Sequence, residues 1–282
     1  VGSTTYLQTR DVLGPASEAT PSSARSGPSY GVGELVLAAI SAGARRVVLG
    51  TGTPATLDAG IGLLRSLAGE AVRNFDVTES VTQLPTLVAR ARERLAAVEL
   101  IALAPAQVPA RGLRGAAAQL TASLGPEVSQ ELDTALAPMV AAYSGLSPHR
   151  RDLLAGAPSS ASLLLDPAAG TGGGLGLAVS ALGGRIVAGP AFMARECELS
   201  QRSLGCDLVV VCGERVDPLE ASSGVLGAVA AAVAPHGVAV LALGRIVQLD
   251  RRNAAHAAIS ATGTLVGSLE QDAQRFARAW QW

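Results

Sequence analysis

The short apolar run Arg46-Val47-Val48-Leu49 lies between two helix-patterned stretches, and a loop of small residues separates it from the second. Upstream, Leu35, Val36, Ala39 and Ile40 recur at helical spacing within residues 33–42, and Gly43 ends that pattern. Downstream, residues 50–60 read Gly-Thr-Gly-Thr-Pro-Ala-Thr-Leu-Asp-Ala-Gly, and residues 61–67 return to helical patterning. Helix, strand, loop, helix is the unit of a parallel α/β sheet, because parallel strands are joined by a crossover rather than a tight hairpin. That order restricts the chain to the α/β class.

The same grammar continues along the chain. Residues 14–29, rich in Pro, Ser, Ala and Gly, predict a loop. Residues 84–97 predict an amphipathic helix and residues 98–102 a strand, and helical patterning extends over 107–160. Residues 163–165 predict a second strand-loop-helix unit, with a glycine-rich loop over 166–174 and a helix over 175–182. Leu208-Val209-Val210-Val211-Cys212 predicts a central strand that opens into a loop over 213–217. Residues 225–244 are nearly uncharged and about as long as a membrane span. Pro235-His236-Gly237 breaks them, so they predict a helix over 224–234, a turn, and a strand over 238–243. Residues 270–282 close the chain as an amphipathic helix.

Composition narrows the function classes. Hydrophobic residues make up 49% of the 282 but aromatics only 3%, so Ala, Leu and Val must fill the interior. A net charge of -1 gives no electrostatic footprint for nucleic acid or an anionic membrane. All 22 basic residues are Arg; the chain has no Lys. Cys197, Cys206 and Cys212 have no C-x-x-C spacing, which argues against a zinc site or a disulfide framework and suits a reducing cytoplasm. The first eight residues lack the pattern of a signal peptide.

Three loops combine glycine with acidic or hydroxyl groups where strands end, the usual place for ligands in α/β sheets. In the first, Gly50, Gly52, Thr53 and Thr56 either suit phosphate binding or make a tight turn. Asp58 there suits either metal or proton chemistry, or simple capping of the next helix. In the second, Gly170, Thr171, Gly172 and Gly173 make either an anion cradle or a structural turn; neither a P-loop nor a dinucleotide fingerprint fits. In the third, Glu214 and Asp217 follow the central strand as Mg²⁺ ligands or orienters of a hydroxyl, unless Arg215 merely pairs with one of them.

Taken in order, these segments resemble the glycerate kinase family. Residues 29–35 (Ser-Tyr-Gly-Val-Gly-Glu-Leu) are similar to its Thr-x-Gly-x-Gly-Glu-Leu, and residues 50–60 to its Gly-x-Gly-Gly-Ser-Ala-Thr-Asn-Asp-Gly-Gly. Residues 167–176 and 212–217 resemble its later Gly-rich and Gly-Glu-Gly-Arg-x-Asp segments. The resemblance implies two three-layer α/β/α units with largely parallel sheets. It implies a remnant strand and loop over 1–29, an α/β domain over 30–160 and another over 161–282. It further implies ATP- and Mg²⁺-dependent phosphorylation of glycerate, with a small organic acid and a nucleotide as partners. Asp58, Glu214 and Asp217 are then the catalytic acids, gathered at the rim of one cleft.

Departures from the family pattern weaken the activity implied. Pro54 and Leu57 replace Ser and Asn, Thr53 and Ala59 replace Gly, and Glu214-Arg215 lacks the intervening Gly. The family's lysines have no counterpart. Phosphoryl transfer depends on positioned cations, so the expectation is weak or absent turnover. A non-catalytic homologue that binds a small anion or a partner protein is the competing reading.

Overall fold

The computed structural model describes residues 3–26, 29–71, 76–146 and 166–279. It forms two compact units, Val1–Gly189 and Pro190–Trp282.

The first unit is built on a parallel sheet of β1 (Thr4–Gln8), β2 (Arg46–Gly50), β3 (Glu99–Ala104) and β4 (Arg185–Ala188), in that spatial order. β2 is central, pairing Thr4 to Gln8 of β1 on one side and Glu99 to Leu103 of β3 on the other. Val47, Val48 and Leu49 are at most 1% exposed, so side chains on both faces of β2 are covered. This is why the strand reads as an unbroken apolar run. Helices α1 (Tyr30–Ser41) and α2 (Ile61–Leu67) flank β2 in sequence, as the patterning predicts.

α3 (Val77–Arg94) starts earlier than the apolar pattern indicates, because the Asp76 carboxylate accepts a hydrogen bond from the Glu79 N–H and caps it. α4 (Pro126–Ser144) follows, and α5 (Thr171–Ala181) carries the second glycine-rich segment. The expected loop over 14–29 is instead partly helical, with a 3₁₀ turn at Ala16–Glu18 and a helix at Pro21–Ser26. Thr20 and Ser23 account for the helix: each side-chain oxygen accepts the other's backbone N–H, and Pro21 sits at the first helical position.

The second unit has a parallel sheet of β5 (Leu208–Val216), β6 (Ala239–Val247) and β7 (Ala261–Thr264). Helices α6 (Gly189–Glu196), α7 (Leu199–Arg202), α8 (Pro218–Ser223), α9 (Val225–Val233), α10 (Arg251–His256) and α11 (Leu269–Ala279) complete it. The uncharged stretch is α9, a 3₁₀ turn at Ala234–His236 and β6, with Val233, Val240 and Ala242 fully buried. No helix among the described residues is long and apolar enough to cross a membrane. Residues 213–216, expected as loop, extend β5: Gly213, Arg215 and Val216 stay in register with Gly244, Ile246 and Val247.

The units divide at 189/190 rather than at 160/161. β4 pairs with β3, and Gly173 and Gly174 abut the backbone of Thr56 and Ala59, so the second glycine-rich segment belongs to the first unit. The strand expected over 163–165 lies outside the described residues.

Arg92 fixes the far end of α5. Its guanidinium donates to the Ala181 carbonyl, at 2.9 Å from Nε and 2.6 Å from Nη2, and Nη2 also donates to the Leu146 carbonyl at 2.6 Å. These carbonyls lie at helix ends, where no intrahelical donor reaches them. Arg92→Ala should destabilise the protein by about 2 kcal/mol, read from the shift of the urea midpoint in far-UV circular dichroism.

Candidate functional site

The two glycine loops interlock at the carboxyl end of the first sheet. Gly172, Gly173 and Gly174 all have positive φ (64°, 70° and 94°), so the right-handed turns of α5 start only at Leu175. A side chain on Gly173 would collide with the Thr56 carbonyl, and one on Gly174 with Ala59. Glycine is therefore required there twice over, by conformation and by space. The Ala59 N–H donates to the Gly173 carbonyl at 3.2 Å. The Thr51 and Thr171 hydroxyls lie 2.6 Å apart, both buried, and the Thr51 hydroxyl also donates to the Leu103 carbonyl of β3.

Asp58 is at the centre of this packing, 2% exposed. Its Oδ2 accepts from the N–H groups of Ser29 (2.5 Å) and Gly62 (3.1 Å), and Oδ1 from that of Gly60 (3.0 Å). Ser29 returns the contact by accepting from the Leu63 N–H at 3.0 Å. The carboxylate thus sits on the positive end of α2 and ties it to the residue preceding α1. Burial pushes its pKa above the ordinary value, and the backbone donors pull the other way. The Tyr143 phenol donates to the Ala59 carbonyl at 2.8 Å, and burial, then the Asp58 charge, push its pKa well up. It stays a neutral donor.

The sequence offered two roles for Asp58, and the geometry is that of the cap. A buried carboxylate that takes three backbone donors holds two loops together. The open part of the first loop is elsewhere: Gly50 and Gly52 are half-buried, and Thr53 is exposed. Gly52 has φ +55°, and a β-carbon added there would meet nothing within 4 Å. Thr56, Gly170, Thr171, Gly172 and Gly173 are buried. Ser29 and Tyr143 were not singled out from sequence. Ser29 carries a weak cue, a hydroxyl residue just before a helix; Tyr143 carries none in an alanine-rich helix.

In the second unit, β5 keeps Glu214 and Asp217 apart. They are three residues apart on extended backbone and so face opposite sides. Glu214, opposite Arg245 across the sheet, pairs with it at 3.7 Å. Asp217 caps α8 by accepting the Glu220 N–H at 2.9 Å, and its other oxygen takes Arg215 at 3.0 Å. The Glu220 backbone donor, then Arg215, hold its pKa below the ordinary value. Among the described residues, no group of three or more His, Cys, Asp or Glu could hold a metal ion.

Asp58→Asn replaces one acceptor oxygen with an amide facing the Gly60 N–H. It should cost about 1–3 kcal/mol at neutral pH. The sign of the pH dependence follows from the raised carboxyl: the folded state holds the proton more tightly, so wild-type stability falls as pH rises from the ordinary carboxyl value through the raised folded one. The difference between wild type and Asp58→Asn should therefore widen as pH is lowered towards the ordinary value, 3.8, in parallel urea titrations.

Comparison with known proteins agrees with this architecture. The chain is 32% identical over 232 residues to the uncharacterized protein Mb2228c of Mycobacterium bovis, covering 82% of this chain and 54% of the relative. It is 30% identical to the uncharacterized protein slr1840 of Synechocystis, covering 70% of this chain and 51% of that one. The chain thus spans about half the length of the relatives it matches. A solved structure from Salmonella typhimurium LT2, provisionally described as glycerate kinase 2, superposes with a TM-score of 0.64. At 21% identity it covers 96% of this chain and 71% of its own, which shows the shared fold. The glycerate kinase family pattern matches residues 7–282, and the chain belongs to the glycerate kinase family.

Proposed function

We propose that this chain binds a small organic acid of the glycerate type at the open rim Gly50–Gly52–Thr53, and that it transfers phosphate from ATP to it poorly by itself. The observation carrying this reading is the division of the first loop: Thr56 and Asp58 are packed away, while Gly52 and Thr53 face open space at the end of β2. A small-residue backbone at a strand's carboxyl end suits a carboxylate or phosphate. The family supplies the substrate class, and the absence of lysine together with the burial of Asp58 and the hydrogen bonds of Asp217 argues for weak turnover.

Glu214 and Asp217 face opposite sides of the chain, which disfavours a single Mg²⁺ held between them. Both oxygens of Asp217 already accept hydrogen bonds, and Glu214 pairs with Arg245 on the other side of the strand. Loose phosphoryl-transfer transition states need such charge neutralisation, which residues 214–217 do not offer.

Two measurements test this reading. With D-glycerate, ATP and Mg²⁺, ADP release should stay far below about one per second, the low end for ordinary enzymes. D-Glycerate binding by titration calorimetry should weaken at least about tenfold in Thr53→Glu, which sets a like charge beside the anion. Turnover near one per second, or unchanged binding by Thr53→Glu, would overturn the proposal.

A further inference from the structure

Within the second unit, the Ser200 hydroxyl and the Nε2 atom of His236 lie 2.8 Å apart. Ser200 is half-buried on α7, and His236 ends the 3₁₀ turn after α9. The pair adjoins a cavity of about 480 Å³ lined by Ser200 itself, by Pro235 next to His236, and by Arg195 and Glu198. Alanines from α6 and α9 form much of its remaining wall. Glu198, immediately before α7, has φ +53°, a conformation a non-glycine residue adopts only when its surroundings hold it there.

We propose that Ser200 and His236 form a nucleophile–base pair that accepts short acyl groups from activated esters bound in this cavity. A hydroxyl within hydrogen-bond reach of an imidazole is the arrangement that lets a weak nucleophile attack a carbonyl. In the first step, Ser200 Oγ bonds to the carbonyl carbon and its proton passes to His236 Nε2. The carbon–oxygen bond to the leaving alcohol then breaks, and the imidazole returns the proton to that alcohol. Water, giving its proton to the same nitrogen, cleaves the acyl-serine to a carboxylic acid and restores the hydroxyl. The alanine walls suit short acyl chains, and Arg195 and Glu198 place one charge of each sign at the cavity.

The pair also joins α7 to the turn after α9, so the test must separate chemistry from a structural tie. p-Nitrophenyl acetate is the probe, added to the full chain while nitrophenolate release is followed. The expected result is a burst of one equivalent, with acetyl mapped to Ser200 by peptide mass spectrometry. Ser200→Ala and His236→Gln should each slow the burst at least about a hundredfold. The Gln amide can keep the hydrogen bond but cannot take the proton, so His236→Gln should retain the wild-type melting curve. If Ser200→Ala fails to fold, His236→Gln and the acetylation map decide. A burst unchanged in His236→Gln, or acetyl found at exposed Cys197 and not at Ser200, would overturn the proposal.

Discussion

The Asp58 carboxylate accepts three backbone N–H groups, from Ser29, Gly60 and Gly62, and the geometry of the first unit's loop depends on that contact. Without it, the start of α2 and the residue before α1 would both leave buried donors unpaired. An unpaired buried donor costs about 1–3 kcal/mol, so the carboxylate repays much of its own desolvation by satisfying all three. Charge, dipole and hydrogen bonds act in the same direction here, and burial alone acts against them.

Around that anchor the packing works through the absence of side chains. Gly60, itself left-handed, lies where a β-carbon would press on Ala178, and Gly62 where one would meet the backbone of Ser29 and Tyr30. Gly173 and Gly174 let α5 approach the first loop to backbone contact. Alanine takes the left-handed position 59, at φ +53°, and the Tyr143 hydroxyl bonds its carbonyl. Backbones meet directly where Gly173 and Gly174 touch Thr56 and Ala59. The rim at Gly52 and Thr53 is open, and the functional reading rests there.

Much of this was legible from residue patterns, for identifiable reasons. β2, buried on both faces, has to be an apolar run, and α2 has to start after a glycine that can turn the chain. The helix–turn–strand reading of the uncharged stretch followed from Pro235 and Gly237. The helix Pro21–Ser26 was hidden because its cap is a reciprocal Thr20–Ser23 pair inside a stretch whose composition reads as loop. The extension of β5 through Val216 was hidden because Gly213, Glu214 and Arg215 carry turn-like chemistry while their backbone stays paired with β6. The role of Asp58 was undecidable from its type, since an Asp before a helix serves capping and catalysis equally well; only burial and its donors separate the two. Likewise, nothing in the run from Glu214 to Asp217 shows that the strand turns the two acids to opposite faces.

The central claim is that Asp58 locks the two loops into one buried scaffold. Amide hydrogen exchange at Ser29, Gly60 and Gly62 tests it most directly. If the account is right, these N–H groups exchange only through opening of the first unit as a whole, with protection close to that of Val48 in the middle of β2, and Asp58→Asn lowers the protection of Gly60 most. Rapid exchange of Gly60 and Gly62, while Val48 stays protected, would mean that the loops open independently and that the carboxylate does not hold them.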